Sequence, residues 1–222
     1  MTGKTRVLVV ADETAEALWH PQVKTFEPDL VVSCGDLPFE YLEYLVSTLN
    51  VPLVFVPGNH DPEIERGKPD ALQPDSFTWG AHHGGNARPR GCTNIDGKAI
   101  DVAGLRVAGL GGSIRYNDGP NQYTQPQMTW RSTRMEMRHR IRRPSRKNID
   151  LLVTHAPPLG VGDGIDMPHQ GIKSLHRLVR VLQPTYLLHG HIHPYGIAQP
   201  DRRLGNTTVL NVIPYKLLEV ET

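Results

Sequence analysis

Five short stretches of this chain each end in a residue that can hold a divalent cation or move a proton: Asp12, Asp36, Asn59 with His60, His155, and His191 with His193. Carboxylate oxygen, amide oxygen and imidazole nitrogen make up the donor set of borderline divalent metals such as Mn, Fe, Co, Ni or Zn. Each residue alone has a plainer explanation. An Asp after a strand commonly caps a turn or helix, and a lone His at a strand end is commonly a solvated surface group. The conjunction carries the argument, because five strand ends all bearing ligand-type residues would be an odd accident. In Gly190-His191-Ile192-His193, alternate residues of extended backbone share a face, so both imidazoles can enter one site. In Gly58-Asn59-His60-Asp61 the glycine permits a tight turn, Asn59 offers a neutral oxygen and His60 stays free for proton chemistry.

Such residues need a frame. Arg6 to Val10, Asp29 to Ser33, Val51 to Val56, Ile149 to Val153 and Tyr186 to Leu188 are short runs rich in Val, Leu and Ile. They lack strict alternation, as expected of strands buried on both faces. Phe39 to Asn50 and Gly171 to Leu182 carry apolar residues at helical spacing. Strand, helix, strand, helix, strand over the first 56 residues reads as βαβαβ. Asp96-Gly97 between Cys92–Ile95 and Ala99–Val102 predicts a β-hairpin. Leu105 to Leu110, Thr207 to Val212 and Tyr215 to Val220 read as further strands, and residues 62 to 91 and 111 to 126 as long loops. In sheets built from crossovers, ligands bind beyond the carboxyl ends of the strands, which is where the metal-type residues fall.

Composition sets the bounds. The 222 residues hold 24 Lys plus Arg against 23 Asp plus Glu, which argues against a globally basic nucleic-acid binder. Two cysteines do not make a secreted disulfide framework. Eleven His, 21 Gly and 19 Pro suit a site built from loops. No apolar run approaches the roughly 18 residues a membrane span needs. The amino-terminal apolar stretch is too short for a signal peptide, so we expect a cytoplasmic protein.

The ordered blocks Asp12, Gly35-Asp36, Gly58-Asn59-His60-Asp61, His155 and Gly190-His191-Ile192-His193 resemble the calcineurin-like metallophosphoesterase superfamily. The resemblance runs from residue 6 to about 194. It implies an α/β fold, a four-layer αββα sandwich of two mixed β-sheets flanked by helices, here as a single domain over residues 1–222. It implies hydrolysis of a phosphodiester or nucleotide-like phosphate ester by metal-activated hydroxide, with two divalent metals at one end. By position, Asp36 would bridge the metals. Asn59, His155 and His191 would hold the second, and Asp12 and His193 the first. His60 would protonate the leaving oxygen or stabilise the transition state. A metal pair clamps both sides of an in-line displacement and lowers the pKa of bound water, and phosphoryl transfer needs positioning and charge more than a covalent nucleophile.

Two departures from that pattern matter. The first block, usually Asp-x-His, reads Asp12-Glu13-Thr14. This predicts a labile first metal, shifted toward hard ions such as Mn²⁺ or Mg²⁺, with Mn favoured. Glu13 would compensate only if it reached the site, whereas neighbours on a strand point to opposite faces. Gly35-Asp36-Leu37-Pro38 also lacks the following Asp-Arg of the protein phosphatases. Instead Thr154-His155-Ala156-Pro157-Pro158-Leu159-Gly160, Gly109-Leu110-Gly111-Gly112-Ser113 and Gly119-Pro120-Asn121-Gln122-Tyr123 resemble a branch of small phosphodiesterase-like members, some of which bind nucleotides. Thr14 keeps a second reading open, a catalytically weak single-metal relative that binds a nucleotide or a partner.

Outside the cage, Arg115 offers a bidentate phosphate contact, and Tyr116 or Tyr123 a stacking face for a base. His169 and Asp163 follow His155 in a second loop and are candidates to line the pocket. His82-His83 reads as a solvated pair. Arg131 to Lys147 holds eight basic residues and one acid, which would steer an anion or track phosphates, although a solvated helix face is the plainer account. Nucleic acid is therefore not the favoured partner. Gly3-Lys4-Thr5 has no glycine-rich stretch before it to make a P-loop, and no Gly-x-Ser-x-Gly elbow is present.

Overall fold

The computed structural model describes residues 3–64, 88–142, 149–194, 196 and 199–221. In chain order the elements are β1 (Lys4–Val10), β2 (Leu30–Ser33), α1 (Phe39–Leu49), β3 (Leu53–Phe55), β4 (Cys92–Asn94), β5 (Lys98–Val102) and β6 (Leu105–Leu110). There follow β7 (Ser113–Ile114), β8 (Gln122–Tyr123), α2 (Gln125–Arg142), β9 (Leu151–Thr154), α3 (Leu175–Leu182), β10 (Tyr186–His189), β11 (Arg202–Leu204), β12 (Thr207–Asn211) and β13 (Tyr215–Glu221). Two large mixed sheets result, ordered β13-β1-β2-β3-β4 and β11-β12-β10-β9-β6-β5. The inner strands run parallel and the antiparallel partners sit at the edges.

Strict alternation is missing because both faces of each sheet are covered. Val7 and Val9 of β1 point inward and meet Val107, Val153, Leu188 and Leu210 of the facing sheet. Leu8 and Val10 point outward and pack against Tyr41, Leu42 and Leu45 of α1. On the far side Leu110, Leu152 and Leu187 lie under Met128 and Met135 of α2 and Leu175, Leu178 and Leu182 of α3. Each such side chain contributes about 1.5–3 kcal/mol on full burial, so the order α1, sheet, sheet, α2 with α3 is held by three apolar layers. This is the four-layer mixed α/β sandwich expected from the resemblance.

Several elements differ from expectation. The link between β1 and β2 is not an α-helix but two 3₁₀ turns, Glu16–Leu18 and Pro21–Phe26. Its anchor is Trp19, stacked on Tyr41 at 4.8 Å between ring centroids. The expected hairpin at Asp96-Gly97 is absent. β4 pairs parallel to β3, whereas β5 pairs antiparallel to β6 in the other sheet, so the chain changes sheets at Asp96. The Asp96 carboxylate is occupied, accepting the Gly111 N–H at 2.9 Å and an Arg131 N–H at 2.6 Å. The true hairpin is β5–β6, turning at Ala103 and Gly104, both left-handed, as its two-residue loop requires. α3 begins at Leu175 rather than Gly171. The 111–126 loop contains the small β7–β8 ladder.

The basic run lies largely on α2, and not all of it is solvated. Glu136 is buried and accepts two N–H bonds from Arg177 of α3, at 3.0 and 3.2 Å, which ties the two helices together. His82-His83 and residues 143–148 lie outside the described residues.

Candidate active site

Parallel neighbours bring their carboxyl ends to one edge. β1, β2 and β3 of the first sheet and β9 and β10 of the second all stop there. Asp12, Asp36, Asn59, His155 and His191 follow those five strands. Asp12, Asp36 and His191 turn out of the strand direction in left-handed backbone, at φ 59°, 56° and 66°.

Atoms of Asp12, Asp36 and His155 lie within 4.8 Å of one another. His155 Nε2 stands 3.1 Å from Asp36 Oδ2 and 2.9 Å from Asn59 Oδ1. His155 Nδ1 faces the Cys34 carbonyl at 2.9 Å. That bond orients the ring and leaves Nε2 as the atom offered to the cage, the usual support for a metal-binding imidazole. His191 sits beside the cluster, its ring 4.8 Å from that of His155 and its Nε2 2.8 Å from the Pro168 carbonyl. The His191 backbone N–H donates to both oxygens of Asp12, at 2.9 and 3.0 Å. Gly190 makes this approach possible, because a Cβ there would overlap Asp12 Oδ2.

The electrostatics are those of a charge cluster taken out of water. Burial, against the pull of His155, leaves Asp12 at about 6. Asp61 also rises to about 6, through burial and then the nearby Asp36. Burial would depress His155, but the Asp36 and Asp12 carboxylates outweigh it and lift it to about 9. Burial likewise opposes ionisation of Asp36, and His155 overcomes it to hold that carboxyl below its ordinary value. His191 falls to about 3 and His189 to about 4, both chiefly by burial. The cage therefore pairs buried carboxylates with a proton on His155 that an entering cation would displace. Donor chemistry and close packing both fit a divalent metal.

Of the other expected site residues, His60 is exposed and donates its backbone N–H to Asp36 Oδ1 at 2.8 Å. Tyr116 reaches the cage, where its hydroxyl accepts from Asn59 Nδ2 at 3.2 Å. His169 stands 5.6 Å from the His191 ring and 2.6 Å from the Asp166 carboxylate. Arg115 turns aside to the Gln122 carbonyl at 3.4 Å. Tyr123 is covered on one face by Arg131, 3.9 Å from the ring centre, so it is not a free stacking platform. Asp163 braces its own loop by accepting from Gly160 and Gly171.

Two further contributors differ from expectation: Asp61, to which the sequence assigns no role, and Glu13, which the strand rule sets aside. Asp61 Oδ2 accepts N–H bonds from Asp36 (3.0 Å) and Gly58 (2.8 Å), bracing the two loops that carry Asp36 and Asn59. Its signal was its place as the fourth residue of the Gly58-Asn59-His60-Asp61 block. Glu13 is the other. Because Asp12 is left-handed, the strand rule does not apply at Glu13, and its carboxylate comes 2.9 Å from His193 Nδ1. His193 Nε2 is then 3.8 Å from Asp12 Oδ1, while Thr14 is exposed.

A family model described as calcineurin-like phosphoesterase matches residues 9–195. The chain belongs to the calcineurin-like phosphoesterase family. As a calcineurin-like phosphoesterase it inherits the family's implication of metal-dependent phosphoester hydrolysis, and the Asp12, Asp36 and His155 cluster lies within the matched span. UPF0046 protein K07C11.7 of Caenorhabditis elegans is 36% identical over 63 residues, which is 28% of this chain and 20% of that protein. The chain thus spans about a fifth of the length of that relative. One crystal structure superposes with a TM-score of 0.58 at 14% identity over 99% of both chains. The crystal structure of TT1561 of Thermus thermophilus superposes with a TM-score of 0.58 at 14% identity, over 94% of this chain and 89% of that one. These structural likenesses show the fold. No helix among the described residues is long and apolar enough to cross a membrane.

The Glu13–His193 pair leads to a specific expectation. If the chain holds two divalent ions, as the resemblance implies, Glu13→Ala removes one partner of the His193 ring and should lower affinity for the more weakly held ion by about 10–100-fold, the usual cost of losing an outer partner. Glu13→Gln, which still accepts the Nδ1 proton, restores part of it. Titration of free Mn²⁺ by electron paramagnetic resonance reads this directly, and two unchanged affinities in Glu13→Ala would refute it.

Proposed function

We propose that this chain is a single-domain, cytoplasmic metal-dependent hydrolase of a phosphodiester or nucleotide-like phosphate ester. The observation that carries the reading is the approach of Asp36 Oδ2 and Asn59 Oδ1 to His155 Nε2, at the end of five parallel strands. Asp12, Asp36, Asn59, His155, His191 and His193 would hold two divalent ions, with Mn²⁺ favoured. Bound there, such ions polarise the phosphate and supply a nucleophile from water at neutral pH.

The side chains supply the rest. Asp36 fixes the His60 backbone, and His60 lines a small cavity together with Asp36, from which its exposed imidazole would donate a proton to the departing oxygen. Tyr116 holds Asn59 in place. Pro168, through its carbonyl, keeps His191 in one orientation. Thr14 supports a second reading, a single-metal binder of nucleotides or of a partner.

His60→Ala should lower kcat on a chromogenic phosphodiester with Mn²⁺ by about 10²–10⁴-fold. The melting temperature should not change, because only the His60 backbone is used structurally. Undiminished turnover in this variant would remove His60 from the chemistry. Nucleotide-induced thermal shift without any turnover by the parent protein would favour the binding reading.

A further inference from the structure

A cavity of about 900 Å³ lies apart from the cage. It lies along one face of α2, where Gln127, Trp130, Arg131, Arg134 and Arg138 fall at helical spacing. The eleven steps of helix from Gln127 to Arg138 span about 16 Å. Pro57 and Asn121 also line the cavity, and Asn121 donates to the Asp61 carbonyl at 2.9 Å. A cavity of about 300 Å³ is lined by Asp36, His60, Asp61 and Pro62. The segment from Pro57 to Ile64 thus borders both cavities, which brings the α2 groove next to residues of the cage.

The lining is chemically selective. Arg131 is committed to Asp96 and Tyr123. Arg138 gives one N–H to the Gly97 carbonyl and Lys98 gives one to the Asn94 carbonyl, so each bonds a neutral partner and keeps its charge. Arg134 is exposed. Beside them Trp130 is 64% exposed, which leaves much of the indole open to solvent next to these cations. Three cations along a groove with an open indole fit a ligand that repeats a negative charge and a flat ring. That is the stacking-and-phosphate pattern of single-strand binders, and it stands on a chain whose net charge is only +1.

We propose that the α2 groove binds single-stranded nucleic acid, with phosphates on Lys98, Arg134 and Arg138 and a base stacked on Trp130. The proposal deepens the hydrolase reading by naming a polymeric substrate, and rests on it only for cleavage. The probe is fluorescein-labelled oligo(dT)12, read by anisotropy with the full-length protein in EDTA. Tighter binding than dTMP is expected, with a log–log salt slope of about −2 for three contacts on a single strand. Trp130→Ala and the Arg134→Ala/Arg138→Ala pair should each weaken binding roughly tenfold or more. Both variants should melt with the parent and keep its Mn²⁺ turnover of a small chromogenic diester.

Binding that ignores these substitutions, or equal affinity for the matching duplex or for heparin, overturns the proposal. Oligonucleotide binding without diester turnover by the parent would sink the hydrolase and uphold the groove. Turnover without oligonucleotide binding would do the reverse.

Discussion

Asp36→Asn is expected to abolish metal-dependent turnover, with kcat lower by on the order of 10³-fold or more, comparable to removing a principal electrostatic group. The substitution keeps the shape of the side chain and an oxygen for the His60 N–H. It removes the charge that faces His155 Nε2 at 3.1 Å. Metal affinity should fall by more than the roughly 10–100-fold cost of losing an outer partner, measurable by calorimetry without any assay of activity. A second readout comes from the metal-free protein. His155 is raised to about 9 mainly by Asp36, against burial, so its protonation stabilises the fold fully below its unfolded value near 6.5. That contribution is lost as pH climbs through 9. The metal-free parent should therefore lose melting temperature between pH 6.5 and 9, and the variant should lose less. Parallel melting curves for the two proteins would show that the Asp36–His155 pair does not exist in solution.

Gly190→Ala is expected to do as much damage from a residue with no chemistry of its own. The added methyl would overlap Asp12 Oδ2 and stand 2.8 Å from Ala11 Cβ. Neither neighbour has room to give. The Gly190 N–H is bonded to the His155 carbonyl at 3.0 Å, and the next N–H holds both oxygens of Asp12. Overpacking of this kind costs about 1–3 kcal/mol, or a melting shift of about 2–4 °C per kcal/mol in a chain this long. Displacement of Asp12 should remove the weaker metal site altogether. Gly205→Ala is the matched control. Its left-handed backbone (φ 63°) makes alanine costly, but nothing lies within 4 Å of the new methyl, so its metal binding should equal the parent's. Retained metal stoichiometry in Gly190→Ala would refute the close approach.

The sandwich was legible because buried parallel strands leave a strong mark, namely short Val- and Leu-rich runs that each end in a polar residue. Val7, Val9, Leu8 and Val10 lack alternation since each sheet face has its own apolar partner. The misplaced hairpin had a local cause. Asp96-Gly97 carries turn chemistry, but the Asp96 carboxylate is needed by Gly111 and Arg131, partners 15 and 35 residues away. Glu13 was hidden for a related reason, since the periodicity argument assumed extended backbone where Asp12 is left-handed. Asp61 was visible in its motif, yet its two N–H partners depend on how the loops of β2 and β3 meet. Long-range partners of loop residues cannot be read from spacing.

The left-handed corners at Asp12, Asp36 and His191 tie coordination to conformation. Among residues with a side chain, Asn, Asp and His enter that region most readily. Aspartate and histidine are thus favoured at these bends before any ion arrives. A descendant that had shed hydrolysis would still find Ala or Glu there expensive, so the survival of these letters in a distant cousin is weak testimony that it still cleaves anything.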